Sequence, residues 1–237
     1  MIQMSQIHMQ NLLNMVKIYD EDALSEYLKN DFILEGLSKY QGDKEFVSHE
    51  WLLNMEEKRL IYADVYGELL KSSGRKVLDV GGGFCGLSRE LIERHDYTLL
   101  DIMAHDDHKK IGEISSENGG FWINSDWYEF DTDRNYDFVI ANDLFPNVDQ
   151  RLRMFVEKFK DITKNLILTI TCNDKDVFYK VKRVDAQELL IVAPWGRDMT
   201  ERVLQNLFNE RSISLPKSKK PIFRNGRVVY KFSHTIS

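Results

Sequence analysis

Apolar residues recur at helical spacing from the start of the chain. Leu12, Leu13, Val16 and Tyr19 fall on one side of a stretch from about Gln6 to Leu28, which predicts a helix there. The acidic run Asp20-Glu21-Asp22 can end that helix and start another. A looser segment through Gly36 and Gly42 follows. Ser48 then reads as the N-cap of a long helix with Trp51, Met55, Tyr62, Val65 and Leu69 on its apolar side, stopping at Ser72-Ser73-Gly74. From Arg75 the texture changes. Lys76 to Val80 is a buried-strand run leading straight into Gly81-Gly82-Gly83, and a helix from about Leu87 to Arg94 follows. Tyr97 to Leu100 reads as a second strand ending at Asp101, and Phe121-Trp122-Ile123 as a weaker third ending near Asp126. Tyr136 to Ala141 and Asn165 to Thr171 are a fourth and a fifth. Between them Asp149 is predicted to cap a helix whose Leu152, Phe155, Val156 and Phe159 share one face.

Strands alternating with helices at this spacing predict a doubly wound α/β fold, a mainly parallel sheet covered on both faces. The end of the chain differs. Val177 to Trp195 reads as strand-rich and about Asp198 to Phe208 as a helix. Asn225-Gly226 is a hairpin signal between two closing strands.

At 237 residues the chain suits one large α/β domain, or one domain with a helical extension. The expected division is N-terminal helices over 1–74 and an α/β core over 75–237. A net charge of -6 argues against general affinity for nucleic acid or anionic membranes. No apolar run approaches the roughly 20 residues of a membrane helix, and MIQMSQIHMQ has no basic region followed by an apolar stretch, so no secretory signal is expected. Cys85 and Cys172 form no CxxC pair and read as buried thiols of a cytoplasmic protein.

Gly81, Gly83 and Gly86 fit GxGxxG, and Asp101 lies about 20 residues beyond, at the end of the next strand. NAD and S-adenosylmethionine (SAM) proteins share this arrangement, because glycines admit close backbone approach and a carboxylate accepts ribose hydroxyls. Asp79 separates the two readings. A carboxylate before the loop would repel a pyrophosphate, whereas it suits the ammonium and sulfonium of SAM.

On these residues the chain resembles the class I SAM-dependent methyltransferases. VLDVGGGFCG is similar to their first motif, Asp101 in YTLLDIM to their ribose-binding acid, with Ile102 beside it, and Asp126 in INSDWYEF to an acid that contacts the adenine amino group, followed by Trp127. YDFVIANDLFPNV resembles their fourth motif, so that the likeness runs from about Arg75 to Thr171. It implies a Rossmann-like seven-stranded sheet with an antiparallel C-terminal hairpin and an N-terminal helical cap. It also implies SAM as cofactor, S-adenosylhomocysteine as product, and Asp79, Gly81, Gly82, Gly83, Asp101, Ile102, Asp126, Trp127 and Asn142 as cofactor contacts. Two departures stand out: Cys85 occupies the third glycine position, and Asn147 stands where many relatives carry a histidine.

Methyl transfer depends mainly on holding donor and acceptor together, and a base is needed only for a poor nucleophile. Asp143 is the candidate substrate-facing carboxylate, with capping of the loop before Pro146 as the plainer alternative. His49 is the remaining histidine candidate for a base. Arg59 and Tyr62 share a helix face within reach of the cofactor carboxylate, or are a solvated arginine beside a packed tyrosine. Phe145, Asn147, Trp195 and Arg197 are candidate acceptor contacts. His105-Asp106-Asp107-His108 carries metal-ligand residue types at a spacing that fits no compact helix pair, and helix initiation is the simpler reading; no metal is expected. Arg211, Lys217, Lys219, Lys220, Arg224, Arg227 and Lys231 make a basic tail that, beside a pocket, would favour a phosphorylated or nucleotide-linked acceptor.

The expected activity is methyl transfer to N or O of a small polar metabolite such as a sugar or nucleotide-sugar. A nucleic-acid methyltransferase and a SAM-binding partner protein without catalysis are the alternatives. Whether the N-terminal helices form a lid or a homodimer contact is open from sequence.

Overall fold

The computed structural model describes residues 16–146, 148–173, 179–183, 188–192, 195–217 and 220–236. Its centre is the alternation expected from Arg75 onward. Strand β2 (Lys76–Val80) runs through the glycine turn into α5 (Gly86–Arg94), and β3 (Asp96–Leu100) leads to α6 (His108–Glu117) and the short β4 (Trp122–Ile123). β5 (Tyr136–Phe145) is followed by α7 (Leu152–Phe159) and β6 (Thr163–Cys172). β2 pairs in parallel with both β3 and β5, and β5 pairs in parallel with β6. β9 (Val228–Thr235) closes the chain antiparallel to β6.

Among the described residues the sheet has seven strands, in the order β1-β9-β6-β5-β2-β3-β4. Its first strand, β1 (Val16–Tyr19), corrects two expectations. The helix predicted over Gln6 to Leu28 is a strand at its described beginning, Leu12 and Leu13 lying outside the described residues. The closing hairpin is replaced by a single strand whose second neighbour is β1, register Val16 to Phe232. Asn225-Gly226 does turn, with Gly226 at φ 79°, but only to deliver the chain into β9. The separate antiparallel pair of β7 (Tyr179–Arg183) and β8 (Glu188–Val192) supplies the strands expected there, and α8 (Arg197–Leu207) follows.

Strand alternation sends successive side chains to opposite faces. Val77 and Leu99 enter one apolar core, shared with Tyr62, Val65, Tyr66 and Leu69 of the long N-terminal helix; Leu78, Val80 and Leu100 enter the other, with Phe155, Val156 and Phe159 of α7.

The N-terminal segment is helical beyond β1: α1 (Glu21–Tyr27), capped by the Asp20 carboxylate, α2 (Phe32–Leu37), α3 (Val47–Asn54) and α4 (Glu56–Lys71). The long helix predicted from Ser48 is thus two helices, because Met55 is extended (φ -127°, ψ 105°). Phe46, not Ser48, sits at the N-cap, and Ser48 turns instead toward the glycine loop. Asp107 caps α6, as helix initiation at that cluster predicted. Asp149 does not sit at the start of α7; Arg151 does, and Asp149 accepts from its backbone N–H at 2.8 Å. Among the described residues no helix is long and apolar enough to cross a membrane.

Candidate active site

The chain lays down β2, β3 and β4 in one direction and then returns to place β5 on the other side of β2. Such a switch point opens a crevice at the carboxyl ends of the strands, where ligands of doubly wound sheets bind. A cleft of about 1460 Å³ lies there, above the roughly 300–1,000 Å³ of typical single-ligand pockets. It has room for two ligands side by side.

The glycine turn forms the floor. Gly83 has φ 67°, a left-handed conformation that side chains resist, and a Cβ there would stand 1.9 Å from Ser48 Oγ. At Gly82 a Cβ would meet both carboxylate oxygens of Asp79 at 2.5 Å. The loop is therefore pressed between α3 above and Asp79 below. From the next strand the Asp101 carboxylate reaches across, accepting from Gly83 N at 2.9 Å and from Met103 N at 2.7 Å. Each oxygen retains accepting capacity, since a carboxylate offers about four lone-pair sites. Beside it Ile102 is 51% exposed, an apolar surface open to the cleft.

Asp126 and Trp127 also line the cleft. Arg151 joins them, its guanidinium bonding Asp126 at 2.8 Å, pairing with Asp149 and lying 4.7 Å above the Trp127 ring. On the far side β5 bulges between Ala141 and Phe145. Asn142 and Asp143 of this bulge both line the cleft, Asp143 at φ 57°. Thr169 locks the pair by accepting from Asp143 N at 2.6 Å and donating to Asn142 Oδ1 at 2.9 Å. Lys58 from α4 meets the Asp143 carboxylate at 2.7 Å, with its ammonium 4.6 Å from the Trp51 ring. Tyr62 lines the cleft one helical turn further on, and its hydroxyl accepts from the Cys85 thiol at 3.6 Å.

Gly81, Gly82, Gly83, Asp101, Ile102, Asp126, Trp127, Asn142, Asp143 and Tyr62 are thereby gathered around one cleft. Other predicted site residues are elsewhere. Asp79 shares the face of Val77, so its side chain enters the core, where Tyr66 and Tyr97 hydroxyls donate to its two oxygens at 3.0 and 2.7 Å. It supports the loop from beneath and does not face a ligand. His49 is fully buried, its Nδ1 accepting from Gly86 N at 3.0 Å, and burial depresses its pKa, so it anchors the loop as a neutral ring and is no base. The Arg59 guanidinium is committed to Asp31 at 2.7 Å and to the Leu52 and Leu53 carbonyls, outside the cleft. Phe145 is buried against Trp127 and Phe155 in the core. Trp195 donates to Gln150, and Arg197 serves the Leu215 carbonyl and Glu201; neither lines the cleft. Asn147 lies outside the described residues. In the His105-to-His108 cluster Asp106 accepts from Val47 N and so fastens the start of α3.

Trp51, Lys58, Arg151 and Thr169 are cleft residues that sequence reasoning did not assign. Lys58 had a legible signal, standing four residues before Tyr62 on the same helix face. Arg151 had none, because its role depends on a contact with Asp126 from another strand.

The Asp79 carboxyl carries a pH signature. Burial pushes its pKa up to about 7, against the lowering by the Tyr97 and Tyr66 hydrogen bonds. An unfolded aspartate ionises near 3.9. The fold therefore binds this proton more tightly than the unfolded chain, and the resulting stability is full below about pH 4 and lost as pH rises toward about 7. Urea midpoints of the wild type should fall between pH 5 and pH 8 relative to Asp79→Asn, whose side chain does not ionise. Parallel pH profiles for the two proteins would refute the assignment.

A glycine turn after the first strand of the switch point, a carboxylate after the next strand and one antiparallel strand beside β6 define a Rossmann-like α/β fold. No family model matches the sequence. Among solved structures, a DhpI–SAH complex superposes with TM-score 0.50 at 16% identity, over 91% of this chain and 96% of that one. The 1,6-didemethyltoxoflavin-N1-methyltransferase of Burkholderia thailandensis, solved with bound 1,6-didemethyltoxoflavin and S-adenosylhomocysteine, has TM-score 0.48 at 14% identity over 89% and 88% of the two chains. By sequence, a Clostridium perfringens protein named guanylate kinase is 24% identical over 176 residues, 74% of this chain and 78% of its own. Nucleotide kinases hold phosphates with a loop GxxxxGK[ST]. Here Gly81 and Gly86 have that spacing, but buried Leu87 stands in place of the lysine, before Ser88.

Proposed function

We propose that the protein is a SAM-dependent methyltransferase acting on an N or O atom of a small polar metabolite. The observation that carries this is the Asp101 carboxylate bonded across the glycine turn beside exposed Ile102. The cleft residues fit an adenosyl group: Asp101 can accept ribose hydroxyls, Ile102 offers apolar surface to a flat ring, and Asp126 is an acceptor for an exocyclic amine. When bound, the cofactor supplies a methyl group already activated by its sulfonium. The chain's own part is then to position, desolvate and orient.

Asp143 is the acceptor-facing carboxylate. Lys58 at 2.7 Å keeps it paired, and its left-handed backbone, held through Thr169, aims it from the end of β5 into the cleft. It can orient a hydroxyl or amine and take a proton from it. The helices α3 and α4 act as a cap in this reading, contributing Trp51, Lys58 and Tyr62 to one wall of the cleft. Both cysteines are buried and free, in keeping with a reducing cytoplasm. Leu87 in place of the phosphate-loop lysine argues against the kinase reading.

The test is calorimetric titration of the whole protein with SAM, S-adenosylhomocysteine, NAD, ATP and GMP. SAM and S-adenosylhomocysteine should bind far more tightly than NAD, ATP or GMP. Binding of ATP and GMP without SAM would overturn the proposal in favour of a kinase. Tight SAM binding without methyl transfer to any metabolite pool would point to a non-catalytic partner protein.

A further inference from the structure

Among the described residues, two guanidinium groups on the cleft wall have no carboxylate partner. Arg224 and Arg227 flank the Asn225-Gly226 turn just before β9, and both line the cleft. Among the described residues neither has a salt-bridge partner, whereas the other cationic side chains of the cleft do: Lys58 is paired with Asp143 and Arg151 with Asp126 and Asp149. Arg227 is held firmly. Its guanidinium carbon lies 3.9 Å from the centre of the buried Phe223 ring, and its backbone N–H donates to Asn225 Oδ1. Its Nε is buried and has no hydrogen-bond partner. The donors that Arg227 can offer to a ligand in the cleft are therefore its terminal guanidinium nitrogens. Carboxylates elsewhere on the cleft are already engaged or placed to suit other groups. Glu56 and Glu57 sit in the first turn of α4, where the helix dipole favours them, and Asp106 is bound to Val47 N.

The position of these arginines assigns the ligand. β9 is three strand steps from β2 in the sheet, about 14 Å at roughly 4.8 Å per step. Being antiparallel, it brings its N-terminal end to the same edge as the carboxyl ends of β5 and β6. The arginines therefore face the cleft from beyond Asp143, on the side away from the glycine turn. We propose that they bind a phosphate group of the methyl acceptor, making it a phosphorylated small metabolite whose nucleophile lies toward Asp143. Two planar forks match a dianionic phosphate better than a monoanionic carboxylate. This rests on the cofactor reading above.

The test uses whole protein saturated with S-adenosylhomocysteine and titrated with ribose 5-phosphate, inorganic phosphate, ribose and acetate. Both phosphate probes should bind, and ribose and acetate should not. Arg227→Gln should weaken phosphate binding by roughly tenfold or more, with S-adenosylhomocysteine affinity unchanged. The more exposed Arg224→Gln gives the same readout with little risk to the fold. Equal phosphate affinity in wild type and both variants, or acetate bound as well as phosphate, overturns the inference and leaves the cofactor reading intact. So does a wild type that takes S-adenosylhomocysteine but no phosphate. If the wild type binds no S-adenosylhomocysteine, the cofactor reading falls and this inference falls with it.

Discussion

Asp101→Ala should weaken S-adenosylhomocysteine binding by roughly a hundredfold or more while the protein stays folded. Hydrogen bonds to a charged group are worth about 1.5–3 kcal/mol each, and the ribose presents two hydroxyls to this carboxylate in the proposed complex. The loss has a second component. Asp101 also accepts from Gly83 N, so its removal leaves the glycine turn without the contact that ties it to β3. Asp101→Asn, which keeps one accepting oxygen, should fall between the variant and the wild type. Calorimetry gives the affinities, and a thermal melt of each protein checks that the turn has not carried the fold with it. Unchanged affinity in the alanine variant would remove Asp101 from the cofactor site.

Arg59→Met is the converse case, a large loss of stability with no effect on binding. The guanidinium is 5% exposed and its partner Asp31 is 13% exposed, and it also satisfies two backbone carbonyls at the end of α3. Removing one member of a buried pair leaves the other charge uncompensated and costs about 3–5 kcal/mol. For a chain of this size that corresponds to a fall in Tm of roughly 6–20 °C. S-adenosylhomocysteine affinity of the folded variant should match the wild type, because Arg59 does not line the cleft. A large loss of affinity with an unchanged Tm would restore the role suggested by its place on the helix beside Tyr62.

These two residues show how far a linear reading reaches. Asp101 was legible because its position follows from local order: a strand, a glycine turn, a helix and a second strand put a carboxylate beside the turn whatever the rest of the chain does. Gly82 and Gly83, Asp126, Trp127 and Asn142 follow the same logic, each at the carboxyl end of a parallel strand or just beyond it. Arg59 was not legible, since helical spacing says which residues share a face and not what that face meets. Asp79 shows the same limit. Its place before the glycines was read correctly, but strand parity turns it into the core toward Tyr66 and Tyr97. His49, a candidate base on sequence, is a buried anchor for Gly86.

The sequence by itself determined the α/β alternation, the glycine turn, the acids that follow β3 and β4, and the fourth strand that leads to Asn142 and Asp143. Those are set by periodicity, backbone freedom and spacing over a few residues, all of which are local. Tertiary structure alone decided that Val16–Tyr19 is a strand, since its partner β9 lies at the opposite end of the chain and a four-residue edge strand carries too little pattern to announce itself. It alone placed Lys58 against Asp143 and Arg151 against Asp126, and brought Arg224 and Arg227 to the cleft. Those arrangements rest on contacts between segments remote in sequence, where packing and charge pairing choose the direction in which each side chain points.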